Sequence, residues 1–362
     1  MNEQFAELSG VVIDEIGVAH LGSPLREQRL LADGSAVVPL SGRSVLAVTG
    51  EDRLTWLDSI SSQALGVLAP DGSSETLILG PNGHVEYAAS VYDDGETTWL
   101  IVDAQGAEGL LTWLTRMRFR LRVAPRDASA EYSVVGGTPE ALEAVAPNAP
   151  MWRDGWPDVA PGGHGYAVVD NHPGSEYSWA EALFNPDEMS QLARRAADGE
   201  IALAGYIAAD ALRLAAWRPR LRDIDDRTLP HEVDWLRTAV HLSKGCYRGQ
   251  ETVAKVHNLG HPPRRIVMLH LDGSDSVLPA RDAEVFNGDT SLGTVWAAAL
   301  HYEDGPIALA MLKRNAPVEG VVQVETSDGR IAATIETIVP PEAGAAANVP
   351  RLPRLSRRAA VR

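Results

Sequence analysis

The sequence predicts an α+β fold that ends in a small antiparallel β-barrel or sandwich. Up to about residue 260, β-branched runs alternate with stretches in which apolar residues recur at helical spacing. From Arg264 onward, short strand-like runs are separated by the turn segments DGSDS, NGDTS, HYEDG and TSDGR. The chain has 362 residues, of which 45% are hydrophobic and 22% charged, so it can bury a full core divided over two or three domains.

The first part of the chain alternates predicted strands and helices. SVLAVTGEDRLTWLDSISSQAL predicts a strand, a turn and a helix with one apolar side. TLILGPNGHVEYAASVY predicts two strands joined at a Pro-Asn-Gly turn, and TTWLIVDA predicts another strand. A helix over GAEGLLTWLTRMR leads into RMRFRLRVAPR, residues 116–126, whose alternation predicts a strand with one apolar face and one arginine face.

The second part begins with a loop-rich stretch, residues 129–170, and continues with two helices expected in DEMSQLARRAADGEIALAGYIAADALRLAAW. WLRTAVHLS has helical spacing, and ETVAKVHNLG predicts a helix that stops at Gly260 before two prolines. We therefore expect five regions: an N-terminal segment (1–30), a first lobe (31–128), a second lobe (129–260), a β-barrel (261–340) and a disordered basic tail (341–362).

The charge of the chain limits its partners. The net charge is −17, which disfavours direct binding of nucleic acid or of an anionic membrane by the molecule as a whole. The N-terminus lacks the pattern of a secretion signal, and the most apolar segment is interrupted by Asp210 and Arg213, so we expect a cytoplasmic protein without a membrane span. Residues 241–265 are an exception in charge, with five cations and one anion.

Several common catalytic motifs are absent from the sequence. No Gly-Lys pair exists for a phosphate-binding loop, and PGGHGY lacks the strand-loop-helix context of a dinucleotide site. HEVDW has Trp235 where a zinc protease has its second histidine, and DIDDRT lacks the glycine of a calcium loop. His257 and His261 could share a helical face, but we expect no metal site from them.

The only cysteine of the chain, Cys246, lies in the segment KGCYRGQE, residues 244–251. A single cysteine excludes an intramolecular disulfide, so the thiol is either a small buried hydrophobe or a reactive group. It lies in a glycine-hinged loop ahead of a predicted helix start, with Lys244 and Arg248 two residues away on either side. Nearby cations and a helix N-terminus both favour the thiolate form, and this polar surrounding is not typical of an apolar core.

KGCYRGQE resembles the signature of the YgfZ-type folate-binding proteins, relatives of the aminomethyltransferase (T-protein) of glycine cleavage. The resemblance extends over about residues 20–340 and includes AVVPLSGRSVLAVTGEDRLTWLDSISSQ, LGPNGHVEYAASV, LPHEVDWL and TSLGTVWAAALHYEDGPIALAMLKRN. It implies a three-domain cloverleaf of the aminomethyltransferase type around a central channel that takes tetrahydrofolate. It also implies a role in the assembly or repair of iron-sulfur clusters, with iron-sulfur proteins or their assembly factors as partners.

The resemblance and the loop chemistry together make Cys246 and Lys244 the candidate reactive residues. Six residues are candidates for contacts with the folate: Tyr247, Arg248, Gln250, Glu251, Glu86 and Glu232. A carboxylate is expected opposite the adjacent N–H donors of the pterin, because such a charge-assisted pair gives both strength and orientation. Glu86 and Glu232 share that candidacy with Asp223, Asp225 and Asp226, and the cations of residues 244–265 are suited to the anionic folate tail.

Two departures from the T-protein pattern keep the reaction open. The acidic residue of the family's Leu-Arg-Leu-Glu segment is replaced by Ala215, and its aspartate pair by Tyr87 and Ala88. The leading hypothesis is a tetrahydrofolate-binding accessory protein that uses Cys246. One alternative is a folate-dependent aminomethyl transferase acting on an unknown amine, with Glu86 or another acid as base. The other is a folate-binding module without catalytic activity.

Overall fold

The computed structural model describes residues 2–167, 169–273 and 277–347, and it is a mixed α/β structure with a closed β-barrel. The predicted basic tail lies outside the described residues from 348 onward. The helices are α1 (Pro24–Ala32), α2 (Arg53–Ile60), α3 (Ala104–Met117), α4 (Pro139–Val145), α5 (Pro186–Ala197), α6 (Tyr206–Ala215) and α7 (Gln250–Leu259). Short 3-10 helices cover Asn2–Phe5, Leu65–Val67, Pro173–Glu176, Leu221–Asp223 and Pro230–Val233.

The strands before the barrel are β1 (Val12–Ile13), β2 (Val18–His20), β3 (Ala36–Pro39), β4 (Arg43–Thr49), β5 (Gly72–Leu79), β6 (Val85–Asp93), β7 (Thr97–Asp103), β8 (Ala124–Asp127), β9 (Ser133–Gly137), β10 (Met151–Arg153), β11 (Ala180–Phe184) and β12 (Ala202–Leu203). The barrel strands are β13 (Arg264–Leu271), β14 (Glu284–Asn287), β15 (Thr290–His301), β16 (Gly305–Lys313), β17 (Val321–Thr326) and β18 (Gly329–Thr337).

The first sheet is antiparallel with strand order β5-β6-β7-β4-β8. One face carries α2 and α3, whose apolar sides bury residues such as Trp56, Leu57 and Leu114. The predicted hairpin about the Pro-Asn-Gly turn is confirmed, because β5 pairs with β6 along its whole length. The sheet thus presents its second face to the rest of the molecule.

The second sheet has strand order β10-β11-β9-β3-β12, in which only β12 runs parallel to its neighbour. Its outer side is covered by α4 and α5, and α5 begins with a capping box, in which Asn185 accepts hydrogen bonds from the N–H groups of Asp187 and Glu188. The inner sides of both sheets, α6 and one wall of the barrel share one large apolar cluster. The centre of the molecule therefore lies between the two sheets.

The C-terminal barrel closes in the order β13-β16-β15-β14-β17-β18, as the turn-separated strands predicted. Its interior is aliphatic, with Val267, Val295 and Leu312 among the fully buried residues. Arg264, at the start of β13, joins the barrel to the 3-10 helix Pro230–Val233, because its guanidinium binds Asp225 and Glu232. The barrel is thereby fixed next to α7.

Two local predictions are wrong. Residues 116–123 do not form a strand: Met117 ends α3, a turn follows, and β8 begins only at Ala124. The residues between α3 and β8 form a turn instead. Trp56 and Asp52 hold this turn through hydrogen bonds to Met117 and Arg122, and β4 pairs with β8 directly after it. The segment WLRTAVHLS is buried irregular chain rather than helix, since hydrogen bonds to other segments replace helical ones.

Gly50 offers a test of the packing around that turn. Its φ is +114°, and a Cβ atom there would lie 2.0 Å from the carbonyl oxygen of Arg122. We expect Gly50→Ala to lower the free energy of unfolding by about 3 kcal/mol, from backbone strain and overpacking together. Gly329→Ala is the matched control, because Gly329 has φ +127° with open space around it and should lose only about 1 kcal/mol. Chemical denaturation that gives equal losses for the two variants would contradict this packing.

Candidate functional site

A cavity of about 30 Å³ lies between the two sheets and the chain that follows α6. We call it the central cavity. Its wall includes Arg43, Glu75, Ala88, Ser90, Asp103, Trp152, Asp154, Tyr177, Trp179, Glu181, Arg213, Arg218, Arg220 and Trp235. Aromatic rings and charged groups thus share the wall of one small cavity, a composition that suits a polar heterocyclic ligand.

Arg218 is the central charged group of this wall. Its guanidinium binds Asp154 through Nε at 2.9 Å and Glu75 through Nη2 at 2.9 Å, and all three side chains are buried. Burial alone would lower the pKa of Arg218, but the two carboxylates outweigh it and raise the pKa. Burial raises the pKa of Asp154, Arg218 opposes that shift, and the charge of Glu75 adds to it. Arg218, Glu75 and Asp154 therefore form one buried network of two carboxylates and one guanidinium.

Glu75 has further donors. Its oxygens accept hydrogen bonds from Trp235 Nε1 at 3.1 Å and from Thr238 Oγ1 at 2.6 Å. Arg43, also in the cavity wall, forms two further ion pairs, with Glu181 at 2.9 Å and with Asp103 at 2.8 Å. The carboxylates of the wall are thus positioned by arginines and by hydrogen bonds that leave them little freedom to move.

Two buried donors of the wall have no partner. Arg218 Nη1 and Trp179 Nε1 are buried nitrogen atoms without any hydrogen-bond partner within the described part of the chain. An unpaired buried donor costs free energy, on the order of 1–3 kcal/mol, so native structures rarely keep one without a reason. Both residues line the central cavity. The two unpaired nitrogens thus belong to side chains of the cavity wall.

Stacked aromatic rings form part of the same wall. Tyr177 and Trp179 lie nearly parallel, with ring centroids 5.8 Å apart. Both residues also line a second pocket, which includes Ala215 and Ala216 at the end of α6. The two substituted positions of the transferase pattern thus lie in different places: Ala88 lines the central cavity and Ala215 the second pocket.

The thiol loop precedes α7 as the sequence predicts, and Cys246 is exposed. Gly249 makes the sharp entry into the helix with φ +83°, and a Cβ atom there would lie 2.6 Å from the carbonyl oxygen of Gly80. The loop therefore packs on the β5-β6 turn. Since Glu75 of the central cavity lies on β5, one hairpin supports both the loop and the cavity.

Lys244 anchors the loop. Its Nζ donates to the carbonyl oxygens of Asp58, Ser61 and Gln63, which occupies all three donors of an ammonium group. Burial lowers the pKa of Lys244, and the carboxylate of Asp58 acts in the opposite direction. The cation is thus bonded to the C-terminal end of α2.

The six predicted folate contacts are not among the residues that line the central cavity. Arg248 forms a partly exposed ion pair with Glu86 at 2.9 Å, so both cations expected beside the thiol have other partners. Tyr247 is buried under the loop, Gln250 donates to the Lys244 carbonyl oxygen at 3.3 Å, and Glu251 is exposed on α7.

Glu232 is fully buried and occupied by protein donors. It accepts hydrogen bonds from the backbone N–H of Leu229 and from the Arg264 side chain at 2.9–3.0 Å. The other acids considered for the pterin are also placed: Arg213 binds Asp223, Arg264 binds Asp225, and Asp226 is exposed. Burial acts to raise the pKa of Asp225, but the hydrogen bonds from Arg264 and Thr228 lower it to about 2.

A cluster of aromatic polar residues supports α7 from below the loop. His231 Nε2 lies 3.1 Å from the carbonyl oxygen of Val253, and Tyr166 Oη lies 2.9 Å from His257 Nδ1. His261 Nδ1 lies 2.9 Å from the carbonyl oxygen of Ala343.

Within the ranges that the structure describes, no three His, Cys, Asp or Glu side chains are grouped as metal ligands, and no helix is long and apolar enough to cross a membrane.

Sequence reasoning missed the cavity residues because they come from distant segments. Glu75, Asp154, Trp179 and Arg218 belong to β5, the end of β10, the loop before β11 and the chain after α6. No short motif joins them. The one available signal is the high arginine content of RPRLRDIDDR, residues 218–227, because buried arginines require carboxylate partners.

Comparison with known proteins finds similarity to aminomethyltransferases. The chain is 26% identical over 323 residues, 83% of each chain, to an aminomethyltransferase from Nostoc sp.. Its structure resembles the glycine cleavage system aminomethyltransferase T from Bartonella henselae with a TM-score of 0.71 at 18% identity, covering 91% of this chain and 94% of that one. No family model matches the chain. The predicted fold class, a cloverleaf of the aminomethyltransferase type, is confirmed.

The buried histidine beneath α7 gives a prediction of pH dependence. Burial lowers the pKa of His231 to about 4, so the folded protein keeps the ring neutral while the unfolded chain takes up a proton near the ordinary value of 6.5. The stabilisation is complete above pH 6.5 and is lost as the pH falls towards 4. We expect wild type to lose about 2 kcal/mol more of its unfolding free energy between pH 7 and pH 5 than His231→Gln does. Urea titrations with the same pH slope for both proteins would contradict the assignment.

Proposed function

We propose that the protein binds a reduced folate, tetrahydrofolate, in the central cavity and acts as an accessory protein for the assembly or repair of iron-sulfur clusters. The observation that carries the folate assignment is the pair of unpartnered donors, Arg218 Nη1 and Trp179 Nε1. A tetrahydropterin ring has a carbonyl oxygen and ring nitrogens that accept hydrogen bonds, beside N–H groups that donate them. The similarity to aminomethyltransferases in sequence and fold supports the same ligand class.

The chemistry of the cavity wall suits such a ligand, although the wall must open to admit the ring, because about 30 Å³ holds only about two water molecules. The stacked rings of Tyr177 and Trp179 offer an apolar surface for a flat heterocycle, while Glu75 and Asp154 provide carboxylate oxygens for its N–H donors. Burial keeps water from competing for these hydrogen bonds. The folate, when bound, supplies a one-carbon carrier, and the residues of this chain hold and orient it.

Aminomethyl transfer is the alternative that the cavity supports less well. Transfer requires a group that moves a proton at the folate nitrogens, and Ala88 cannot do this. Glu75, Asp154 and Glu181 are each bound to an arginine, and Glu86 is paired with Arg248 outside the cavity wall. We therefore favour binding over transfer.

Cys246 provides the chemical group for the accessory role. Its exposed thiol, once deprotonated, can attack one sulfur of a disulfide on an oxidised client, which forms a mixed disulfide and releases the second sulfur as a thiolate. No further oxidant is needed for this exchange. Lys244 contributes by fixing the loop to the end of α2 rather than by contacting the client.

Replacement of Trp179 by phenylalanine tests the folate site. Because Trp179 Nε1 has no partner among the described residues, Trp179→Phe should keep the free energy of unfolding within about 1 kcal/mol of wild type while weakening tetrahydrofolate binding roughly tenfold in calorimetry. Trp99→Phe is the matched control, since Trp99 Nε1 already donates to Asp94 at 2.8 Å and Trp99 does not line the central cavity. That variant should lose stability and retain more affinity. Absence of binding by wild type at millimolar tetrahydrofolate would refute the assignment.

The thiol is tested in cells and in vitro. Cys246→Ser should fold with wild-type stability, because the exposed side chain makes no packing contribution, yet it should fail to support an oxygen-sensitive iron-sulfur enzyme in a cell that lacks the native gene. Ser243→Ala, an exposed neighbour in the same loop, should support the enzyme fully. If the serine variant also gives full enzyme activity under oxidative stress, the protein is a folate-binding module without thiol chemistry.

A further inference from the structure

The turn that follows α3 holds a phenylalanine in solvent. Phe119 is 78% exposed and has φ +46°, a left-handed conformation that is uncommon for a bulky side chain and costs about 1–2 kcal/mol. The turn is well anchored: Trp56 Nε1 donates to the Met117 carbonyl oxygen at 3.0 Å, and the backbone N–H of Arg122 donates to Asp52 at 2.9 Å. An ordered, strained and exposed aromatic residue indicates a contact surface rather than loose chain.

The end of α3 and the turn after it carry arginines without ion-pair partners among the described residues. Arg116, Arg118 and Arg120 are exposed and form no ion pair with any described residue, whereas Arg122 is bound to Glu51 and Asp52. Four arginines against those two carboxylates leave a local net charge of +2 in a chain of net charge −17. Unneutralised charge beside an exposed aromatic ring is complementary to an acidic and partly apolar partner.

The surface continues along α2. The outer side of this helix presents Thr55 and Ser59, which are exposed, small and four residues apart on one face. At its C-terminal end the 3-10 turn presents Val67, which is 85% exposed, while the N–H of Gly66 donates to Asp58 at 3.2 Å. Phe119 and Val67 are the two most exposed large apolar side chains of the described residues. The turn of Phe119 is bonded to Asp52, just before α2, and the turn of Val67 to Asp58 near its end.

The thiol loop is attached to that helix. Lys244 binds the carbonyl oxygens of Asp58 and Ser61 at the C-terminal end of α2, two residues before Cys246. The eight residues of α2 span about 12 Å, so a bound segment of moderate length reaches from Phe119 to the loop. A surface and a reactive group are thereby fixed relative to each other by one short helix.

We propose that this surface, the Phe119 turn with the outer side of α2 and Val67, docks an acidic segment of a protein client beside Cys246. The proposal rests on the proposed accessory function, for which it names the docking site. A protein segment fits better than a nucleic acid, because a long polyanion would extend beyond the small cationic turn over a molecule of net charge −17. An acidic peptide with apolar residues contacts only the complementary patch.

The test uses a fluorescein-labelled peptide of alternating glutamate and leucine, followed by fluorescence anisotropy on the full chain. Wild type should bind it with an affinity that falls as salt rises, and Phe119→Ser and the double variant Arg118→Glu/Arg120→Glu should each weaken binding roughly tenfold. Val321→Ser is the control for the exposed apolar residue, at 70% exposure on the barrel. Arg194→Glu/Arg195→Glu on α5 is the control for the change in net charge, and both controls should bind as wild type does.

Three results would overturn the proposal. Equal binding by all five proteins would show that the turn is not a docking site. Stronger binding of an oligouridylate than of the peptide, lost in the Phe119 variant, would assign the surface to nucleic acid. Self-association in sedimentation that Phe119→Ser abolishes would assign it to a second copy of the chain.

The outcome is separable from that of the folate and thiol experiments. The Phe119→Ser variant should bind tetrahydrofolate with wild-type affinity, and an alkylating reagent should modify its Cys246 at the wild-type rate. In cells, the same variant should give reduced activity of the iron-sulfur enzyme. If wild type binds no folate but the peptide result holds, the proposed function fails and the docking surface stands. If the enzyme activity is unaffected by Phe119→Ser, the surface does not dock the client.

Discussion

The buried contact of Arg218 with Glu75 and Asp154 is the interaction on which the centre of this molecule depends. Glu75 belongs to the first sheet and Asp154 follows β10 of the second, so one guanidinium joins the two halves of the fold. It also lies over the ring of Trp156 at 4.9 Å. Burial of these charges is costly, and removal of one partner would leave the others unpaired at a cost of about 3–5 kcal/mol. The network therefore fixes the spacing of the sheets and, with it, the shape of the central cavity.

The same network reaches towards the thiol loop. Glu75 accepts a hydrogen bond from Thr238, whose carbonyl oxygen in turn accepts one from the Gln63 side chain. The carbonyl oxygen of Gln63 binds the ammonium group of Lys244. Cavity and loop are thus joined by a chain of direct hydrogen bonds. A ligand bound in the cavity therefore contacts a wall whose Glu75 is linked, through Thr238 and Gln63, to the Lys244 anchor of the loop.

The parts of the fold that could be predicted from sequence are those with a strong local period. The β5-β6 hairpin, α3, α7 and the barrel strands follow their apolar patterns, because each buries one regular face. The arginine turn shows where this reasoning stops. Its alternation fits a strand, but the contacts of Asp52 with Arg122 and the close approach at Gly50 decide the conformation, and no local pattern contains them.

The candidate site divides in the same way. The exposed Cys246 in a glycine-hinged loop before a helix could be predicted, since loop, hinge and helix start are adjacent in sequence. The cavity could not, because its residues meet only through sheet topology. Glu232, a candidate folate contact, is fully buried and bound by Arg264, a partner 32 residues away that the local motif does not contain. Charged residues near a signature need their partners identified before they are assigned to a ligand.

A crystal structure of the protein with 5-formyltetrahydrofolate is the measurement that tests the central claim most directly. The account predicts a pterin ring in the central cavity next to Tyr177 and Trp179, with acceptor atoms on Arg218 Nη1 and Trp179 Nε1. Glu75 or Asp154 should face its N–H donors. A folate found outside this cavity, or a cavity in which ordered water satisfies both nitrogens at saturating folate, would contradict it.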